Sequence, residues 1–71
     1  MSSTVDARGL SCPQPVLMAM TEMKKLGQGE IVVLVDTDTS RENVSRAAES
    51  QGWAPAAVTP EGAGYRITLK K

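Results

Sequence analysis

A chain of 71 residues carrying eight Lys plus Arg against eight Asp plus Glu reads as one domain, residues 1–71, without net charge and near the lower size limit for a fold that has no staple. One cysteine and no histidine exclude an intrachain disulfide and leave no basis for a structural zinc site or a Cys-His hydrolase. The balanced charge and the near-absence of aromatics, one Trp and one Tyr, argue against nucleic acid or an acidic membrane as a direct partner.

The start, Met1-Ser2-Ser3-Thr4, is neither basic nor apolar and reads as no export signal. Apolar runs such as Ile31 to Val35 are far too short to span a bilayer. The expected location is the reducing cytoplasm.

Thr4 to Ala7 predicts a short strand with Val5 and Ala7 on one face, ending at Arg8-Gly9. Cys12-Pro13-Gln14-Pro15 follows. Proline has no N–H and a nearly helical φ, so Pro13 and Pro15 fit a helix's first turn. The residue before a proline is pushed to extended geometry, which makes Cys12 the natural N-cap. A sulfur there lies near the positive end of the helix dipole and near unpaired N–H groups, and both lower the thiol pKa below the ~8.5 of a free cysteine. Arg8, four residues upstream, adds to that field. The plainer reading is a small, half-buried cap without chemistry. Ser, Thr, Asp and Asn cap helices better, so a cysteine in this place hints at use.

The helix is predicted over Val16 to Leu26, with Val16, Ala19, Met20, Met23 and Leu26 on one face, Thr21, Glu22 and Lys25 opposite, and Gly27 as its stop. Met18 falls on the polar side, as a candidate partner-docking residue. Glu30 to Asp36, a continuous β-branched and leucine run, predicts a central strand buried on much of both faces. A second helix opens at Asp38-Thr39-Ser40-Arg41-Glu42, where Thr39 and Glu42 match a capping box. Its inner face is Val44, Ala47, Ala48 and Gln51, and Gly52 ends it. Asp36 and Asp38 read first as turn and capping residues, second as a partner-binding pair. Trp53 to Thr59 predicts an edge strand, because Pro55 would break a central ladder. Pro60 to Gly64 makes a turn, Tyr65 to Lys70 alternates at the strand period, and Lys70-Lys71 reads as a solvated end.

The order is β-α-β-α-β-β: an α/β fold, a two-layer sandwich with a mixed four-stranded sheet and two helices on one face. The first two strands run parallel through a right-handed crossover. Ligand chemistry in such sheets gathers at the carboxyl ends of parallel strands, which is where the Arg8 to Cys12 and Asp36 to Thr39 loops fall. Strand order is left open. The apolar second strand leaves room for association, so a monomer or weak homo-oligomer is expected.

The run Val5-Asp6-Ala7-Arg8-Gly9-Leu10-Ser11-Cys12-Pro13-Gln14-Pro15-Val16 resembles the signature of the TusA/SirA/YedF family of small sulfur-carrier proteins: an aspartate, a Gly-Leu pair and Cys-Pro-x-Pro opening the first helix. The resemblance is close over the first third of the chain, and the element order extends it over the rest. Arg41 to Arg46 and Gly52 look more like the YedF branch, which is associated with selenium metabolism. The resemblance implies a two-layer sandwich whose cysteine accepts sulfane sulfur as a persulfide. The donor would be a protein such as a cysteine desulfurase or a rhodanese-like enzyme, and an acceptor protein would receive the sulfur, in tRNA thiolation or in sulfur or selenium metabolism. No cofactor or metal is implied. Carried over by position, Cys12 bears the sulfur, Pro13 and Pro15 set the helix start, and Asp6, Gly9 and Leu10 shape the loop; Arg8 and Gln14 stand beside them as supporting candidates.

The residue inventory agrees with a carrier, because a lone thiol has no neighbouring cysteine to collapse its persulfide into a disulfide. A thioredoxin-like redox protein needs a second thiol. The competing reading is a non-catalytic regulatory or interaction module that uses the cysteine-bearing edge. RNA binding, raised by likeness of the fold to the C-terminal domain of a translation initiation factor, is opposed by the neutral charge.

Overall fold

The computed structural model describes residues 2–10 and 14–71. It runs β1 (Ser2–Asp6), α1 (Gln14–Leu26), β2 (Glu30–Val35), α2 (Asp38–Ser50), β3 (Ala54–Glu61) and β4 (Gly64–Lys70), the element order that the sequence predicts. The strand order is β1-β2-β4-β3. β1 and β2 are parallel, and β4 lies antiparallel between β2 and β3.

One face of the sheet holds the core. Val5, Ile31, Val33, Val35, Ile67 and Leu69 meet Ala19 and Met23 of α1, Val44 and Ala48 of α2, and Trp53. Each large apolar side chain withdrawn from water contributes about 1.5–3 kcal/mol, and in a chain without a staple this layer is the main source of stability. β2 is not buried on both faces. Ile31, Val33 and Val35 are fully buried, while Val32 and Leu34 are half-buried on the face that no helix covers.

α1 begins two residues earlier than predicted, so Pro15 sits in its first turn, and there it is buried. Gly27, at φ 76°, ends the helix and donates its N–H to the Met23 carbonyl at 2.9 Å. Met18 is not on an exposed polar face. It is half-buried and packs against the core, because α1 lies over edge strand β1 and its contact arc bends around the rim of the sheet. Leu17 is the large apolar side chain of α1 left open to solvent among the described residues, 51% exposed.

The cap of α2 is Thr37, not Thr39. Thr37 is extended at φ −135° and ψ 155°, and its hydroxyl accepts the Ser40 N–H at 3.1 Å. Glu42 instead pairs with Arg46 one turn on, at 2.6 Å. On the inner face Val44 and Ala48 are buried, whereas Ala47 and Gln51 are half-buried. Gly52, at φ 83°, breaks the helix and directs Trp53 inward, where the Trp53 N–H reaches the Ala48 carbonyl at 2.9 Å.

β3 is the edge strand that its proline predicts, with a register shift between Pro55 and Ala57. It extends through Pro60 to Glu61, so the turn shrinks to Gly62-Ala63, with Glu61 opposite Gly64. The final residue is less free than the sequence suggests, since Lys71 exchanges two backbone hydrogen bonds with Gly29, at 3.0 and 3.1 Å.

Candidate functional site

The carboxyl ends of β1 and β2 bring together the two loops that sequence reasoning placed at one edge. β1 ends in Asp6, whose carboxylate turns back onto Arg8. It accepts the Arg8 backbone N–H at 3.2 Å and two guanidinium N–H groups at 2.9 Å each. Those bonds, together with the positive charge, hold the Asp6 carboxyl well down, at about 2, and push Arg8 up. The field of Arg8 on its surroundings is therefore that of an ion pair rather than of a lone cation.

Gly9 follows at φ 78°, in the left-handed region that glycine enters without penalty. This turn aims its N–H across the sheet edge into Asp36 Oδ2 at 2.7 Å. A charge-assisted hydrogen bond of this length is stronger than a neutral one, and it ties the loop after β1 to the loop after β2. Leu10 is exposed, with its N–H 3.4 Å from the Ala7 carbonyl. Gln14 is exposed at the start of α1, and Pro15 is buried behind it. Cys12 and Pro13, the centre of the predicted site, lie outside the described residues.

The second loop is held from the opposite side. Tyr65, the second residue of β4, donates its hydroxyl to Asp38. That bond and the nearby carboxylate push the phenol pKa up. The Arg41 guanidinium stands over the Tyr65 ring, 5.1 Å from its centroid, and 3.9 Å from Asp38. Asp36 and Asp38 thus each have a partner inside the fold, Gly9 and Tyr65. Arg66 and Glu61 close the rim as a bidentate pair at 3.0 and 3.1 Å. Among the described residues no cluster of His, Cys, Asp and Glu is placed to hold a metal ion, and no helix is long and apolar enough to cross a membrane.

Sequence reasoning missed Tyr65, Arg41 and Gly64. No local signal marks them, because they reach this edge only when β4 is placed antiparallel beside β2, so that one strand starts where the other ends.

The Asp6–Arg8 pair makes a direct prediction. A carboxyl whose pKa is lower in the folded chain contributes stability that is complete above its ordinary value, 3.8, and is lost as pH falls towards about 2. Carboxyl-detected NMR titration should give Asp6 a midpoint near 2, and Arg8→Gln should move it up towards 3.8. A midpoint that Arg8→Gln leaves unmoved would show that the pair is not formed in solution.

Residues 3–71 match the family model described as Sulfurtransferase TusA. The sulfur carrier protein TusA of Pseudomonas putida is 42% identical over 68 residues, 94% of this chain and 85% of that one. A relative from Methanocaldococcus jannaschii, 32% identical, is spanned over 91% of its length. YrkF of Bacillus subtilis, 34% identical, is spanned over only 40%. The crystal structure of a SirA-like protein from Desulfitobacterium hafniense superposes with a TM-score of 0.87 at 34% identity, over 96% of this chain and 95% of that one. The chain belongs to the TusA family of sulfur carriers.

Proposed function

We propose that this chain is a persulfide carrier and that Cys12 is the atom-bearing residue of the relay. The observation that supports it best is the tether between Gly9 and Asp36 at 2.7 Å. It fixes the chain two residues short of Ser11, while α1 begins at Gln14, two residues past Cys12, so both flanks of the cysteine segment are anchored. An anchored flank lowers the entropy lost when a partner engages the segment. The helix start supplies the dipole and unpaired N–H groups that favour a thiolate.

The chemistry is two sulfur exchanges without net oxidation. The Cys12 thiolate attacks the outer sulfur of a donor persulfide, the S–S bond of the donor breaks, and the donor leaves as its thiolate. An acceptor thiolate then attacks the outer sulfur on Cys12, receives it, and returns Cys12 to thiolate. Donor and acceptor proteins supply all other groups, and a reducing compartment such as the cytoplasm keeps the thiol free for the next cycle.

Incubation with a cysteine desulfurase and cysteine, followed by intact-mass measurement, tests this. Wild type should gain one sulfur, and Cys12→Ser should gain none. Alkylation by iodoacetamide should titrate below ~8.5, the value of a free thiol. Absence of any sulfur gain on wild type rejects the carrier, and an alkylation midpoint at or above the free value rejects the helix-start argument.

A further inference from the structure

The two edges of the sheet are not equivalent. β3 carries the devices that keep an edge from pairing, namely Pro55, Pro60 and the shift between Pro55 and Ala57. β1 has no proline, no lysine and no irregularity in its register with β2. The Ala7 N–H bonds the Leu34 carbonyl at 2.9 Å. Parallel pairing alternates, so Ser3, Val5 and Ala7 address β2, while the N–H and C=O groups of Thr4 and Asp6 point away from the sheet. Beside them lies a groove of about 310 Å³ lined by Thr4, Val5, Asp6, Met18, Thr21 and Glu22. One wall is the strand edge and the other is the flank of α1. The Asp6 carboxylate is already paired with Arg8 at 2.9 Å, so the groove's acidic charge is that of Glu22, oriented by the Ser3 hydroxyl at 2.7 Å.

We infer that this groove is a strand-docking site, which takes an extended segment of a partner protein, apolar residues alternating with Lys or Arg, as a fifth strand on β1. The segment's backbone pairs with Thr4 and Asp6, one apolar side chain enters against Met18 and Val5, and a cation of the segment faces the Glu22 carboxylate. The carboxyl end of β1 leads into the 7–10 loop, so a strand laid along it ends beside the segment that precedes Cys12. This role rests on the carrier reading, because it makes the groove the register mark for a donor or acceptor.

The probe is the acetylated, amidated pentapeptide Lys-Val-Lys-Val-Lys, added to isotope-labelled full chain. Amide shifts should concentrate at Thr4, Val5, Asp6, Met18 and Glu22. N-methylation of the peptide residues facing β1, or exchange of its lysines for glutamates, should weaken binding at least tenfold. Thr4→Pro removes an outward N–H without touching the β1–β2 ladder and should do the same, and Glu22→Lys should reverse the charge preference. Binding equal for the N-methylated and parent peptides, shifts centred on β3, or concentration-dependent shifts at β1 without peptide, the sign of a second copy, would each overturn the proposal. Loading of Cys12 by inorganic polysulfide, read by intact mass, should be unchanged in Thr4→Pro. If wild type does not load, the carrier reading fails, and the peptide shifts still decide the groove.

Discussion

Gly64→Ala should destabilise the fold by about 3 kcal/mol, at the upper end of what overpacking usually costs. A Cβ built on Gly64 falls 2.6 Å from Asp36 Cα and 3.0 Å from the Val35 carbonyl carbon. Real Cβ atoms do not approach backbone this closely, and backbone cannot swing aside as the end of a side chain can. The start of β4 must therefore move away from the end of β2, where Val35 pairs with Tyr65. A chain of this size holds roughly 4–11 kcal/mol in total, so the substitution removes a large share of its margin. The melting temperature should fall by roughly 12–24 °C, followed by far-UV circular dichroism. A loss below about 1 kcal/mol would mean that in solution the strands stand far enough apart to admit a methyl group. The same shift pulls Asp36 from Gly9, so the Gly9 amide should lose protection from hydrogen exchange even where the variant remains folded.

Ile67→Ala is the second large effect, about 3 kcal/mol within the range for emptying a buried aliphatic site. Ile67 is fully buried in β4, paired with Val33 on one side and Val58 on the other. Both neighbours are held in hydrogen-bonded ladders, so the space left behind cannot close easily. Val58 provides the contrast. It shares a face with Ile67 but sits on the outer strand, 40% exposed, and Val58→Ala should cost less than about 1 kcal/mol. Urea titration should show a lower midpoint for Ile67→Ala at an unchanged slope, and a nearly unmoved midpoint for Val58→Ala. Equal losses at the two positions would place the core boundary one strand further out.

Much of this molecule was legible from local chemistry. Helix periodicity located α1 and α2, because the apolar stripe that a helix buries is written at its own spacing. Gly27 and Gly52 marked both helix ends, since only glycine takes the left-handed turn freely. Pro55 announced an edge strand before any pairing was known. The family to which the run from Val5 to Val16 points was equally plain.

The failures share one cause. Thr37-Asp38-Thr39-Ser40 offers four residues able to cap a helix, and local pattern does not choose among them; the position of β2's end does, and it selects Thr37. A helical wheel puts Met18 on the polar face because it carries no knowledge of an edge strand beneath it. The apolar run of β2 showed that the strand was buried without showing that helices cover only one of its faces.

What the residues determined by themselves was the set of elements, since each depends on neighbours within a few positions. What only the tertiary structure decided was the strand order, and with it the meeting of Gly9 with Asp36, Tyr65 with Asp38 and Gly64 with the end of β2. Those contacts join residues roughly 30 apart, and their formation depends on which strand lies beside β2, a choice made by burial of the whole sheet face and not by any short stretch of sequence.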